Sequence, residues 1–259
     1  MNRHFLLLLS LLCSLYARDA KFELGLGVAS LYYPNYVGSN STRILTLPVP
    51  HIRYRGEYFK IDENGITGKL FGVDGLRLEL SVSGSLPASS DADGVRKDMP
   101  NLDLTGEIGG RFVYVLYAKG VSLLELELPM RAVLSTDFSS VSYRGLLSNP
   151  QLKYSLRYKE LVWTLRTGVV YADADYNNYF YGVKEEYVTP TRSFYEAKSG
   201  CGGFRNRIGV TYKKGNWWAG AFVAHYDIRG ATFKDSPLIE RHDALYTGAS
   251  LTYIFYTLE

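Results

Sequence analysis

The chain has 259 residues, with 22 tyrosines, 25 glycines, two cysteines, 21% charged residues and a formal net charge of +3. That length accommodates one large barrel or two ordinary domains. The near balance of 29 basic and 26 acidic residues excludes the clustered basic excess of a nucleic-acid-binding surface, and two cysteines exclude a disulfide framework.

The N-terminus carries the basic Arg3, runs without charge from Phe5 to Leu15, and reaches Tyr16-Ala17 before the charged Arg18-Asp19. This run is too short to cross a hydrocarbon layer as a helix. A basic start and a small residue at its end predict a signal peptide over 1–17, cleaved after Ala17, with 18–259 as one barrel domain. Cleavage removes Cys13 and leaves Cys201 alone, so no internal disulfide is expected.

The remaining elements read as strands. The first two are expected over 22–33 and 43–55. Pro48 and Pro50 lie in the second, and a bulge is expected there because proline removes a ladder donor. Two short strands over 57–62 and 66–72 follow, then one over 75–85 in which Leu76, Leu78, Leu80 and Val82 alternate with Arg77, Glu79, Ser81 and Ser83. A long strand over 102–117 places Leu102, Leu104, Ile108, Phe112, Tyr114 and Leu116 on one face. The next, 121–136, sets Leu124, Leu126, Leu128, Met130, Ala132 and Leu134 against Glu125, Glu127 and Arg131. Strands over 149–158, 161–172, 200–213, 216–229 and 244–255 complete the set. A helix would not hold these period-two faces together.

The connections alternate in length. Val73-Asp74-Gly75, Lys119-Gly120, Lys159-Glu160 and Lys213-Lys214-Gly215-Asn216 are tight turns, whereas 34–42, 86–101, 137–148, 173–199 and 230–243 are long polar loops. Short periplasmic turns and long outer loops are the rhythm of bacterial outer-membrane barrels. The fold class is therefore all-β, a transmembrane antiparallel up-and-down β-barrel of about twelve strands, or ten if the 57–72 hairpin lies outside the wall. Tyr32, Tyr33, Tyr114, Tyr117, Tyr171, Trp217, Trp218, Tyr226 and Tyr253 lie near strand ends, where interfacial girdles are expected, and this favours a barrel over a soluble β-sandwich. Leu126 and Tyr154 are assigned to lipid and are expected to tolerate no charge, while a change at Glu127 in the lumen is expected mainly to alter pairing.

The charges expected to face the lumen are Arg77, Glu79, Glu107, Arg111, Glu125, Glu127, Arg131, Lys153, Arg157, Arg166, Arg205 and Arg207. Two roles fit them. Mixed in sign, they pair across a narrow lumen and plug it, or, with eight bases to four acids, they line a pore for small anions. Ser236, His242 and Asp243 share one outer loop, but adjacent His and Asp side chains diverge in an extended segment and Ser-Pro reads as a turn. No catalytic residue, metal site or cofactor is expected.

Tyr36-Val37-Gly38-Ser39, 96–103 (Arg-Lys-Asp-Met-Pro-Asn-Leu-Asp), 195–200 (Tyr-Glu-Ala-Lys-Ser-Gly), Asp235-Ser236-Pro237-Leu238 and the closing 248–255 (Gly-Ala-Ser-Leu-Thr-Tyr-Ile-Phe) occur in an order and spacing that resemble the MipA/OmpV family of outer-membrane proteins across essentially all of 18–259. The resemblance implies a non-enzymatic protein of the Gram-negative outer membrane. It also implies a scaffold role that brings a lytic transglycosylase together with a murein synthase in peptidoglycan turnover. The alternatives are a narrow channel for small solutes, a surface adhesin-like protein and, weakest, a surface hydrolase.

Overall fold

A computed structural model describes residues 21–62, 65–90 and 94–258. The expected signal peptide and its cleavage site lie outside the described residues. One continuous sheet wraps on itself. Its strands are β1 (Lys21–Pro34), β2 (Thr42–Arg55), β3 (Phe59–Asp62), β4 (Gly65–Val73), β5 (Leu76–Ser85), β6 (Leu104–Lys119), β7 (Ser122–Thr136), β8 (Val141–Ser148), β9 (Gln151–Tyr158), β10 (Leu161–Ala172), β11 (Gly200–Lys214), β12 (Trp217–Asp227) and β13 (Asp243–Leu258). Every neighbour is antiparallel, and β1 pairs with β13 from Phe22↔Leu258 to Tyr32↔Thr247, which closes the barrel.

The wall has twelve lanes because β8 and β9 share one. β8 pairs with the part of β7 toward the long loops, Met130 to Thr136, and β9 with the part toward the short turns, Ser122 to Glu127. Pro150 divides them. It has no N–H for the ladder, and Asn149 fills the break by donating its side-chain amide to the Val169 carbonyl at 2.9 Å. The expected loop over 137–148 is thereby corrected: only 137–140 turns, and Val141–Ser148 is strand. Its Ser142 and Arg144 belong to the wet face of a half-buried strand, so polarity alone did not mark a loop.

The side chains follow the pleat. In β7, Leu128 and Met130 are exposed to the surrounding membrane while Glu125, Glu127, Val133 and Ser135 are buried inside. Three aromatic residues expected in the girdles instead point inward by the same parity: Tyr33, Trp218 and Tyr226. Tyr33 and Trp218 are buried, and Trp218 packs on His51 with ring centroids 5.5 Å apart. Leu102, expected on the lipid face, precedes β6, bridges to Ala88 and is buried.

β3 and β4 belong to the wall, which settles the count at twelve over ten. Their junction with β2 is slight: only Tyr54↔Ile61 and Arg55↔Lys60 pair across it. β2 pairs with β1 without a register shift from Lys21↔Arg55 to Pro34↔Thr42, so the bulge expected at Pro48 and Pro50 is absent. The reason is parity. Gly56 N–H donates to the Phe59 carbonyl at 2.9 Å, so even-numbered residues of β2 turn their backbone groups toward β3. Pro48 and Pro50 therefore lack donors only on the side where β2 has no described partner above Tyr54.

The candidate functional site in the capped lumen

The long-loop end of the barrel is covered. After β10, Asp173 caps helix α1 (Ala174–Tyr181) by accepting from the Tyr176 N–H at 2.9 Å, and its other carboxylate oxygen accepts from the Leu146 N–H at 2.8 Å, tying helix to wall. Gly145 permits this approach. Its φ is +110°, and a Cβ there would run into the Asp173 carboxylate. Gly145→Val is therefore expected to detach α1 from the wall while leaving the barrel closed. Limited proteolysis checks this: faster cutting near Lys184 or Lys198 than in the parent protein supports it, and equal rates contradict it.

Four loops build a small apolar core above the lumen. Tyr36, Ala88, Leu102, Tyr181, Ala197, Ile228, Ala231 and Phe233 are its buried members, and the rings of Tyr181 and Phe233 stack at 3.7 Å. Polar contacts fasten the same loops. Tyr36 Oη donates to the Leu238 carbonyl at 2.6 Å, Ser236 Oγ to the Tyr181 carbonyl at 2.7 Å, and Arg192 Nη1 to the carbonyls of Val95 and Lys97 at 2.8 and 2.9 Å. Burial pushes the Tyr181 hydroxyl well above the ordinary phenol range, which keeps it a proton donor to the Val37 carbonyl at 3.1 Å. Ser236 is thus a buried structural hydroxyl. His242 is exposed, and Asp243 lies 3.4 Å from Arg241, so these three do not assemble a nucleophile and base.

Below the cap the predicted lumen charges separate into two sides. On the β5–β9 side they form a connected network. Arg111 reaches Glu79 at 2.6 Å; Arg77 bridges Glu79 at 3.1 Å and Glu125 at 2.5 Å; Lys153 holds Glu125 at 2.9 Å. Glu127 accepts from Gln151 at 2.6 Å, and Arg131 pairs with Glu107 at 3.3 Å while donating to Ser81 at 3.1 Å. Most of these pairs join adjacent strands rather than opposite walls, as the cross-strand registers dictate: Glu79↔Arg111 and Glu125↔Lys153 are direct partners in the ladder. Arg157 stands apart, exposed near the Lys159-Glu160 turn.

Arg166, Arg205 and Arg207 occupy the other side, on β10 and β11. Arg207 stacks over Phe222 at 4.1 Å and Arg205 over Tyr226 at 5.2 Å. Cavities of about 310, 340 and 180 Å³ succeed one another here toward the short-turn end. The first two share Arg207 and Phe222 in their walls, and the last two share Trp218, so an aromatic ring stands at each boundary. Sequence reasoning placed the arginines in the lumen but missed these partners. The signal was available: Trp218, Phe222 and Tyr226 have one parity along β12.

Comparison with known proteins gives this architecture a family. Residues 26–255 match the family described as MltA-interacting protein MipA. The chain belongs to that family. Among curated relatives, outer membrane protein Omp26La of Vibrio anguillarum is 31% identical over 90 residues, 34% of each chain. Outer membrane protein OmpV of Vibrio cholerae serotype O1 is 30% identical over 90 residues, again 34% of each. The aligned part thus spans about a third of the length of these relatives. Among solved structures, the Pseudomonas putida toluene transporter TodX aligns over 92% of this chain and 89% of its own, with 10% identity and a TM-score of 0.36. Family membership and the barrel together make this MipA-family chain a protein of the Gram-negative outer membrane.

Proposed function

We propose that this protein is a non-enzymatic, non-conducting scaffold of the outer membrane, whose short-turn rim faces the periplasm and docks murein-synthesising and murein-cleaving enzymes. The observation that carries this reading is the cap: four loops share an apolar core over the outer mouth, and the lumen beneath holds paired charges. A barrel sealed in this way acts through the surface it displays. The family description, an MltA-interacting protein, supports a lytic transglycosylase as one partner, and the resemblance noted above adds a murein synthase. Lys119, Lys159 and Lys214 lie on the short-turn rim with Asp74 and Glu160, outside the lipid-covered wall. Crosslinking in intact envelopes should recover both murein enzymes with the parent protein. It should recover them several-fold less with Lys119, Lys159 and Lys214 replaced by glutamate. Recovery of neither enzyme, or no dependence on the rim, overturns the scaffold role.

The row of cavities supports a second reading, a narrow passage for small anions. Arg166, Arg205 and Arg207 border that row, whereas Glu79, Glu125 and Glu127 do not, and of the acids on the β5–β9 side Glu107 and Asp103 reach its first cavity. Current recordings separate the two.

A further inference from the structure

The seam beside β2 is unlike the rest of the wall. Above Tyr54, the even-numbered residues Thr42, Ile44, Thr46, Pro48, Pro50 and Ile52 turn their backbone groups toward a lane in which no described residue pairs with them. Pairing in the β3–β4 hairpin runs up to Asp62↔Gly65, and β4 leaves β5 at Ile66↔Val82, so Ser83–Ser85 has no strand on that side among the described residues. Exposure records the gap. In β7, β10 and β12 the inward face is covered along the strand, but Thr46, Leu47 and Pro48 are exposed on both faces of β2, as are Ser83, Gly84 and Ser85 of β5; Leu47, with inward parity, is 48% exposed. Open sheet edges do not face hydrocarbon, because their N–H and C=O groups would go unsatisfied; they persist where they meet water or a polar ligand.

A second strand is a poor occupant. Pro48 and Pro50 present carbonyls without donors at two successive positions of the edge, which blocks strand addition. The seam also adjoins a built chamber. Ser83, Gly84, Ser85 and Leu86 line the 310 Å³ cavity under the cap, together with Leu31 and Arg205. Three arginines and two carboxylates border that cavity, and Arg131 is already paired with Glu107. Arg205 stacks on Tyr226 and makes no ion pair among the described residues. On the β2 side, the residues of inward parity nearest the gap are Leu45, Leu47 and Val49.

We propose that the seam between β2 and β5 is a lateral opening that admits a single-chain amphiphile with an anionic head group from the membrane. Its tail lies along Leu45, Leu47 and Val49, its head reaches Arg205 in the chamber, and water or the head group satisfies the open backbone of β2. This goes beyond the scaffold role, which uses the opposite end of the barrel.

The test is photolabelling of the full protein in phosphatidylcholine vesicles by a long-chain alkyl carboxylate bearing a mid-chain diazirine. Labelled peptides are then mapped by mass spectrometry. Label is expected on Leu45, Leu47 and Val49 at levels comparable to the lipid-facing Ile44. The inward-facing Val162 and Thr164 of the fully paired β10 should stay unlabelled. Arg205→Gln should lower the inward labelling roughly tenfold while leaving Ile44 unchanged, and Arg205→Lys should restore most of it. Heat-modified gel mobility verifies that both variants are folded. Labelling of Leu47 no stronger than of Val162 overturns the opening, and labelling indifferent to Arg205 overturns the anionic head group.

Discussion

Leu126→Arg is expected to destabilise the barrel by about 2–4 kcal/mol and to lower its assembly sharply, because it places a charge on the lipid face near the middle of β7. Leu126 pairs with Tyr114 on β6 and Leu152 on β9, and both of these side chains are exposed on the same outer face. The new guanidinium would have hydrocarbon on its outer side and only apolar neighbours across the strands. Denaturant unfolding in lipid vesicles measures the change. A variant that assembles and unfolds like the parent protein would remove the assignment of faces.

Glu125→Gln is expected to cost about 2–3 kcal/mol, below the cost of breaking a fully buried pair because Arg77 and Lys153 remain partly exposed. Glu125 is the only carboxylate in the structure within ion-pair distance of both bases among the described residues. The amide would leave two cations facing each other across the β7 lane. Adding Lys153→Met should recover part of the loss by removing one of them, and the double-mutant cycle measures the coupling. Independent, additive effects would show that the network contributes little. The same geometry revises the expectation for Glu127. Its side chain is 2% exposed, bonded to Gln151 and 3.6 Å from Lys153, so a charge change there disturbs a buried network rather than a freely hydrated lumen.

The barrel was legible in the sequence because its two solvents, lipid and water, impose period two on every strand. That pattern placed Arg77, Glu79, Glu125 and Lys153 on one face and Leu126 and Tyr154 on the other, and the register brings the four charges together. What depended on contacts distant in sequence was not legible. The Tyr181–Phe233 stack joins the 173–199 loop to one more than 30 residues later, and no local periodicity announces it. Tyr33 and Trp218 were misplaced because nearness to a strand end outweighed parity, although parity fixes the face. Polar residues in Val141–Ser148 disguised a strand whose inner face is wet. Pro48 and Pro50 carried a real signal, read too narrowly: they mark an edge within a barrel that closes elsewhere.

On the function proposed above, the cap and the paired charges close the lumen to ions. Recording from the purified protein in planar bilayers tests it most directly. No stable conductance steps are expected from the parent protein, whatever the voltage, and steps only after 174–199 is deleted to open the cap. Reproducible anion-selective steps from the intact protein would contradict it and establish the arginine-lined row of cavities as a pore.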